Sequence, residues 1–243
     1  MTIQATKNIE QALNYHTAAQ NFMKQKQYKN AVVSYLNSLM IDKENIKTYI
    51  SLSKAYKILK EYDKAVKYLN MAKKISEETF EIHYELGINH LLNAEPYKAV
   101  FCFQKAIMLN PKNLNTQIQL AISHELLEEP EISLMIYEKI LEERPDFILC
   151  HNHKAGLYMQ LGEFEEAAKV FKQILKIKPD YFRANLGLGI CFDKLERRHF
   201  AVRYYKKYIV EKPDSDTTKA LVGRIVEIYS KKSNTRKRLK VVS

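Results

Sequence analysis

The 243-residue chain contains no tryptophan and only six glycines, six prolines and three cysteines. With so few helix breakers, and with Lys, Leu, Ala, Glu and Ile abundant, helix is favoured over sheet. The three cysteines are odd in number and widely spaced, which predicts reduced, buried thiols rather than a disulfide framework. Hydrophobic residues make up 46% of the sequence, enough for a sizeable buried core.

Membrane-spanning and catalytic motifs are also missing. No stretch approaches the ~18 apolar residues of a membrane span, and residues 1–11 lack an apolar signal-peptide core, so we expect a cytoplasmic protein. Glycine-rich phosphate loops, H-E-x-x-H and G-x-S-x-G do not occur. Cys150, His151 and His153 have poor spacing for a metal, because ligand pairs on a helix need positions i and i+4. The sequence therefore predicts a protein that is not an enzyme and has no metal or other cofactor.

The net charge of +11 is concentrated at one end of the chain. Residues 182–243 have 16 Lys or Arg against 6 Asp or Glu, a net +10, whereas the other 181 residues have 23 against 22. Residues 114–147 are acidic, with 2 basic against 8 acidic residues. Such an asymmetry concerns partners and association more than the fold.

What the chain does have is a 34-residue period, which recurs six times between residues 12 and 215 without insertion or deletion. The eighth and twentieth positions are always small, as needed where two helix backbones approach closely, and the twenty-fourth position is large and apolar. The eighth-position residues are Ala19, Ser53, Gly87, Ala121, Ala155 and Gly189. The twentieth-position residues are Ala31, Ala65, Ala99, Ser133, Ala167 and Ala201. Because the apolar positions have helical spacing, each unit reads as a pair of helices that must stack on its neighbours to bury its apolar face.

Proline and histidine positions agree with paired helices. Pro96 and Pro130 stand at the start of a second helix, where a missing N–H costs little. Later second helices end at a proline, at Pro111, Pro145, Pro179 and Pro213. His90 and His124 share the eleventh position of their repeats, and we expect them to be hydrogen-bonded core histidines.

These residues resemble the tetratricopeptide repeat over 204 of the 243 residues. The clearest copy contains Lys154, Ala155, Gly156, Leu157, Tyr158, Gly162, Phe164, Ala167, Phe171 and Pro179. It departs from the family at Lys154, which replaces a core apolar residue. The resemblance implies an all-α, right-handed superhelical solenoid of six helix-turn-helix repeats. The repeats would span residues 12–45, 46–79, 80–113, 114–147, 148–181 and 182–215.

The two ends of the chain lie outside the repeats. Residues 1–11 are expected to extend the first helix. Residues 216–230 carry an amphipathic stripe and are expected to form a C-terminal capping helix, because a terminal repeat exposes an apolar face. Residues 231–240 hold six Lys or Arg without apolar periodicity, so residues 231–243 are expected to be a disordered basic tail.

In the family that the chain resembles, the first helices line a concave groove. The resemblance places these partner-binding candidates there: Ile50, Lys54, Tyr84, Ile88, Leu91, Ile118, Ile122, Leu149, Asn152, Leu186 and Ile190. The residue sets that bind a terminal carboxylate, and the asparagine ladder of other members, are absent. One interpretation is a groove for an apolar peptide or amphipathic helix; the other is that these residues pack against neighbouring first helices.

The resulting functional hypothesis is a non-catalytic protein–protein interaction scaffold or co-chaperone. A first alternative is that the basic C-terminal end binds a polyanion, either nucleic acid or an anionic membrane surface. Its candidate residues are Arg197, Arg198, Lys231, Lys232, Arg236, Lys237, Arg238 and Lys240, although the tail has no aromatic residue for base stacking. A second alternative is head-to-tail self-assembly, in which the acidic fourth repeat meets the basic end of another copy.

Overall fold

The computed structural model describes residues 3–241, and the side chains of residues 7–230. Within these residues the secondary structure is helix, joined by short turns, which confirms the predicted all-α class. The helices are α1 (Ile3–Lys24), α2 (Tyr28–Ile41), α3 (Ile46–Ile58), α4 (Tyr62–Ile75), α5 (Phe80–Leu92), α6 (Pro96–Leu109), α7 (Leu114–Leu126), α8 (Pro130–Glu143), α9 (Ile148–Gln160), α10 (Phe164–Ile177), α11 (Phe182–Lys194), α12 (Arg198–Glu211) and α13 (Asp216–Val241).

Helix boundaries follow the sequence period. The odd-numbered helices from α3 onward, called first helices here, start at Ile46, Phe80, Leu114, Ile148, Phe182 and Asp216, at intervals of 34 residues. The even-numbered second helices start at the same interval, and Pro96 and Pro130 are the first residues of α6 and α8. Each start therefore occupies the same position in its repeat.

The turn inside each helix pair contains one residue with a positive φ. These residues are Lys26, Lys60, Ala94, Glu128, Gly162 and Glu196, with φ between 55° and 79°. In each turn the N–H of the next residue donates to the carbonyl five residues earlier, as Glu95 does to His90 at 2.8 Å. This hydrogen bond is typical of an α-helix that ends with one residue in the left-handed backbone conformation. Glycine is favoured at that residue because it has no Cβ. Only Gly162 among the six has that advantage.

The chain divides into two compact units, residues 1–136 and 137–243. The core of the first unit contains Tyr35, Leu52, Leu69, Ile82 and Leu86. That of the second contains Phe171, Ile174, Leu188, Phe192 and Tyr205. In both units the small residues at the eighth and twentieth positions are buried, as the sequence predicts.

Two glycines show why the eighth position must be small. A Cβ built on Gly87 would collide with the ring of Phe103, and one built on Gly189 would collide with the ring of Tyr205. In both cases the ring comes from the twenty-fourth position of the same repeat. An aromatic side chain of the second helix thus lies directly on the backbone of the first.

The last helix is longer than the sequence predicts. The expectation was a capping helix over residues 216–230 and a disordered tail over 231–243, but α13 continues to Val241. No glycine or proline follows Gly223, and the Lys and Arg residues beyond it favour helix. The side chains of residues 231–243 and the backbone of residues 242–243 lie outside the described residues.

Candidate functional site

In the first unit, three first helices lie side by side, since α5 contacts both α3 and α7. We call their shared surface, formed by the predicted groove residues of α3, α5 and α7, the first-helix face. It brings together seven of the predicted site residues: Ile50, Lys54, Tyr84, Ile88, Leu91, Ile118 and Ile122.

These seven side chains differ in their exposure to solvent. Lys54 is exposed and five are half-buried: Ile50, Tyr84, Ile88, Leu91 and Ile122. Ile118 is only 1% exposed, so its predicted role in the groove is corrected. Its side chain lies in the packing between helices, where a partner does not reach it.

The half-buried residues are also part of the packing of the unit. Ile50 packs against the core of the first unit. The Tyr84 ring stacks on Phe80 at 5.8 Å and meets Phe103 edge-on at 6.1 Å. Ile50 and Tyr84 thus have one surface against the fold and another toward solvent, as the packing interpretation expects. A groove for a peptide stays a prediction.

A buried carboxylate that was not among the predicted groove residues lies beside the first-helix face. The side chain of Glu85, on α5, is 8% exposed and accepts a hydrogen bond from Lys57 Nζ at 2.7 Å. Lys54 Nζ lies 3.6 Å from the same carboxylate. Glu85 therefore compensates the charge of Lys54 and Lys57. A signal existed in the sequence, because Glu85 is the only acid at the sixth position of any repeat.

The remaining groove candidates lie in the second unit. Leu149 of α9 is 45% exposed. Asn152 Nδ2 donates a hydrogen bond to Tyr181 Oη at 2.9 Å, which ties α9 to the start of α11. Leu186 and Ile190 are half-buried against the core of the second unit. This smaller surface has the same character as the first-helix face, with Leu149 its most open aliphatic side chain.

The unusual Lys154 has a specific partner. Its Nζ atom donates to Glu138 Oε1 at 2.9 Å while 15% of its side chain is exposed. Lys154 and His151 line a cleft of about 520 Å³ between α8, α9 and α10. His151 Nε2 donates to the Pro145 carbonyl at 2.8 Å, so this histidine fixes the turn before α9.

The eleventh-position histidines are hydrogen-bonded, as the sequence predicts. His90 Nδ1 donates to Glu95 Oε2 at 2.7 Å, and His124 Nδ1 donates to Glu129 Oε2 at 2.7 Å. Both pairs close the turn between a first and a second helix. These two histidines therefore have a structural role in the turns.

The three cysteines are free and buried, as the sequence predicts. Burial raises the pKa of the Cys102 and Cys191 thiols to about 11 and that of Cys150 to about 12. A thiol with such a pKa forms little thiolate near neutral pH and is a poor nucleophile. Over the described part of the chain, no three His, Cys, Asp or Glu side chains are grouped closely enough to hold a metal ion.

An apolar outer surface on α6 was not anticipated. Tyr97 and Met108 are about three-quarters exposed, and Phe101 is 55% exposed. Tyr97 and Phe101 line a cleft of about 400 Å³ with residues of α4 and α5. Met108 lines a cleft of about 310 Å³ with residues of α5 and of the turn before it. At the same positions of other repeats the sequence has charged residues such as Asp63, Lys67 and Lys74. Comparing those outward-facing positions was the signal that could have revealed this surface.

Of the polyanion candidates, Arg197 and Arg198 are exposed. Arg197 Nη2 lies 3.8 Å from Glu165 Oε1. The other candidates, Lys231, Lys232, Arg236, Lys237, Arg238 and Lys240, have side chains outside the described residues. The polyanion site thus stays a prediction.

Comparison with known proteins agrees with this geometry. The family model described as intraflagellar transport protein 56 matches residues 49–241 of the chain. The chain belongs to this family. The intraflagellar transport protein 56 family is of the tetratricopeptide repeat type, which confirms the resemblance seen in the sequence.

Solved structures show the same fold. The pilus biogenesis factor PilW is 19% identical with a TM-score of 0.72, over 87% of this chain and 98% of that chain. YrrB, described as a TPR protein with an unusual peptide-binding site, is 19% identical with a TM-score of 0.55, over 74% and 93%. The Cut9–Hcn1 hetero-tetramer structure matches at 14% identity and a TM-score of 0.63, over 89% of this chain and 43% of that chain.

No curated protein matches the sequence. Among the described helices, none is both long enough and apolar enough to cross a membrane.

Proposed function

We propose that the protein is a non-catalytic scaffold that binds an apolar peptide or an amphipathic helix of another protein on the first-helix face. The observation that carries this proposal is the set of half-buried aliphatic side chains on adjacent helices, Ile50, Ile88, Leu91 and Ile122. Side chains already held by the fold lose little rotamer freedom on binding, so they make efficient anchors. A co-chaperone would be one form of such a scaffold.

The charge around the first-helix face narrows the chemistry of the partner. Glu85 compensates Lys54 and Lys57, so the face does not present a strong cationic clamp for a terminal carboxylate. The partner segment is therefore expected to bind through apolar side chains, with polar contacts at the rim. The peptide-binding site named for YrrB, a protein of the same fold, supports a peptide as the ligand class.

A photo-crosslinking experiment tests the site. A benzophenone amino acid in place of Ile88 would capture the partner in native cells, whereas the same group at Met108, exposed on the outer side of α6, serves as the matched control. The captured segment, made as a peptide, should bind the protein, and Ile88→Glu or Ile122→Glu should weaken binding at least about tenfold. Equal capture at Met108, or unchanged affinity of both variants, would contradict the proposal.

A second candidate, polyanion binding, is favoured by exposed basic residues on two helices of the second unit. Lys172 and Lys176 of α10 and Arg203 and Lys206 of α12 are exposed, in addition to Arg197 and Arg198. Binding to a short DNA duplex or to anionic vesicles should fall steeply with salt and after deletion of residues 231–243. If the protein binds neither the DNA duplex nor the anionic vesicles at low salt, the polyanion-binding proposal is wrong.

A further inference from the structure

Helix α13 is in phase with the repeats, although the predicted repeats end before it. It starts at Asp216, 34 residues after the start of α11 at Phe182. Gly223 then stands at the eighth position, where every repeat has a small residue, and Val222 stands at the mostly apolar seventh position. By position and composition, α13 is the first helix of a seventh repeat.

The second helix of that repeat is missing from the described residues. Earlier first helices end in the turn with a positive φ, but α13 continues as helix through the equivalent residue, Ser230, to Val241. No returning helix therefore covers the face that α13 would present to it. Val222, Val226 and Tyr229 on this face are 48%, 62% and 52% exposed.

Above Gly223 the uncovered face has no aromatic ring from the described residues, unlike the equivalent glycines of earlier repeats. Its counterparts Gly87 and Gly189 are covered by the rings of Phe103 and Tyr205, whereas a Cβ built on Gly223 meets no atom within 4 Å. The face therefore fits a helix that brings an aromatic side chain onto this glycine, as a second helix does in the earlier repeats.

The chain itself offers such an aromatic residue. Gly223 and Tyr229 lie three residues before and three residues after Val226, on or beside the exposed stripe. If two copies of α13 pack antiparallel about a two-fold axis at Val226, Tyr229 of each copy comes level with Gly223 of the other. A two-fold interface needs such self-complementarity, in which residue i meets j and j meets i.

Charge permits this arrangement. Residues 216–230 carry Asp216, Lys219, Arg224 and Glu227, a net charge of zero. Arg224 is also engaged within its own chain, with Nε and Nη2 donating to Asp193 at 2.7 and 2.9 Å. Antiparallel packing points the two basic segments in opposite directions: along the helix axis their Lys231 residues lie roughly 15 Å apart and their Lys240 residues roughly 42 Å apart, at about 1.5 Å per helical residue.

We propose that two copies of this chain associate through α13, antiparallel and two-fold symmetric, with Tyr229 of each copy covering Gly223 of the other. The interface completes the unfinished seventh repeat of both chains. It lies on a different surface from the first-helix face and does not depend on the function proposed for that face.

Sedimentation velocity of the full chain over a wide concentration range tests the proposal. The wild-type protein should form a dimer and nothing larger, and Val226→Glu should raise the dimer dissociation constant at least about tenfold. The matched control is Val210→Glu, which adds the same charge at an exposed position of α12 and should leave the dimer unchanged.

Gly223→Leu separates association from folding. Because nothing lies near this glycine, the added side chain should block the packing of Tyr229 without harming the fold. At a protein concentration where the wild type is monomeric, the circular dichroism spectrum and the melting temperature of the variant should therefore be no lower than those of the wild type. A wild-type protein that stays monomeric, a dimer that survives both Val226→Glu and Gly223→Leu, or species that keep growing with concentration would each overturn the proposal. Growing species would instead favour head-to-tail assembly.

Discussion

The carboxylate of Glu95 is held between two basic side chains, with Oε2 accepting from His90 Nδ1 at 2.7 Å and Oε1 accepting from Lys98 Nζ at 2.6 Å. The Lys98 hydrogen bond, followed by that of His90, lowers the pKa of Glu95 to about 2. The hydrogen bond between His90 and Glu95 thus joins the end of α5 to the start of α6, in addition to the backbone turn. One repeat later, Glu129 accepts from His124 in the same way.

Glu95→Gln should destabilise the protein at neutral pH, and the effect should disappear in acid. The folded-state pKa lies below the unfolded value of about 4.3, so the ionised carboxylate stabilises the fold above that value. Its contribution is lost as the pH falls from about 4.3 toward 2. Melting temperatures of the two proteins at several pH values would show the difference shrinking over that window.

The control for this prediction is Glu81→Gln, because Glu81 is an exposed acid in the first turn of α5. Its melting temperature should follow that of the wild type far more closely. A Glu95→Gln deficit that persists unchanged at the lowest pH would show that charge is not its cause.

Ala94→Gly should stabilise the protein by about 1 kcal/mol, because the left-handed conformation costs a residue with a Cβ about that much. Ala94 has a φ of 56°. Gly162 has a φ of 79°, so Gly162→Ala should destabilise the protein by a similar amount. Urea unfolding of both variants measures the two changes, and shifts of the same sign would refute this explanation of the turns.

Gly87→Ala should cost about 1–3 kcal/mol, because the new methyl group must displace the fully buried ring of Phe103. Gly156, inside α9, has nothing within 4 Å of a built Cβ. Gly156→Ala should therefore gain up to about 1 kcal/mol from helix propensity. Thermal unfolding distinguishes the two; a harmless Gly87→Ala would mean that Phe103 moves aside easily.

The three thiols should react with a disulfide reagent only slowly in the native protein. Burial raises their pKa values to about 11 or 12, which leaves little thiolate at pH 8 and shields the sulfur atoms. In denaturant all three should react at least about a hundredfold faster. Rapid labelling of one thiol without denaturant would identify a region that opens locally.

The sequence alone was sufficient to predict the helix pairs and their period. Two requirements are local: apolar residues must have helical spacing, and a small residue must stand at every close contact between helices. Both recur in each repeat of the sequence. The positions of Pro96 and Pro130 at helix starts follow from the same logic, since the first turn needs no N–H from them. These features depend on neighbours within one repeat or the next.

Exposure depended on tertiary packing. Ile118 and Ile122 are one helical turn apart on α7, yet the first is buried and the second half-buried, because the neighbouring helices decide which part of the surface they cover. The same holds for Lys54, a groove candidate in the sequence whose Nζ atom the structure places 3.6 Å from the carboxylate of Glu85. The sequence also did not indicate the left-handed conformation in the turns, because five of the six residues that adopt it are not glycine.

The chain's own pattern therefore determined that helices form, where they begin and which backbones touch, because these depend on spacing along the sequence. Only the tertiary structure decided which apolar side chains remain partly open and which charges are already paired. It also showed that Gly223 has no ring above it. Those facts depend on residues from other helices, whose approach no single helix specifies.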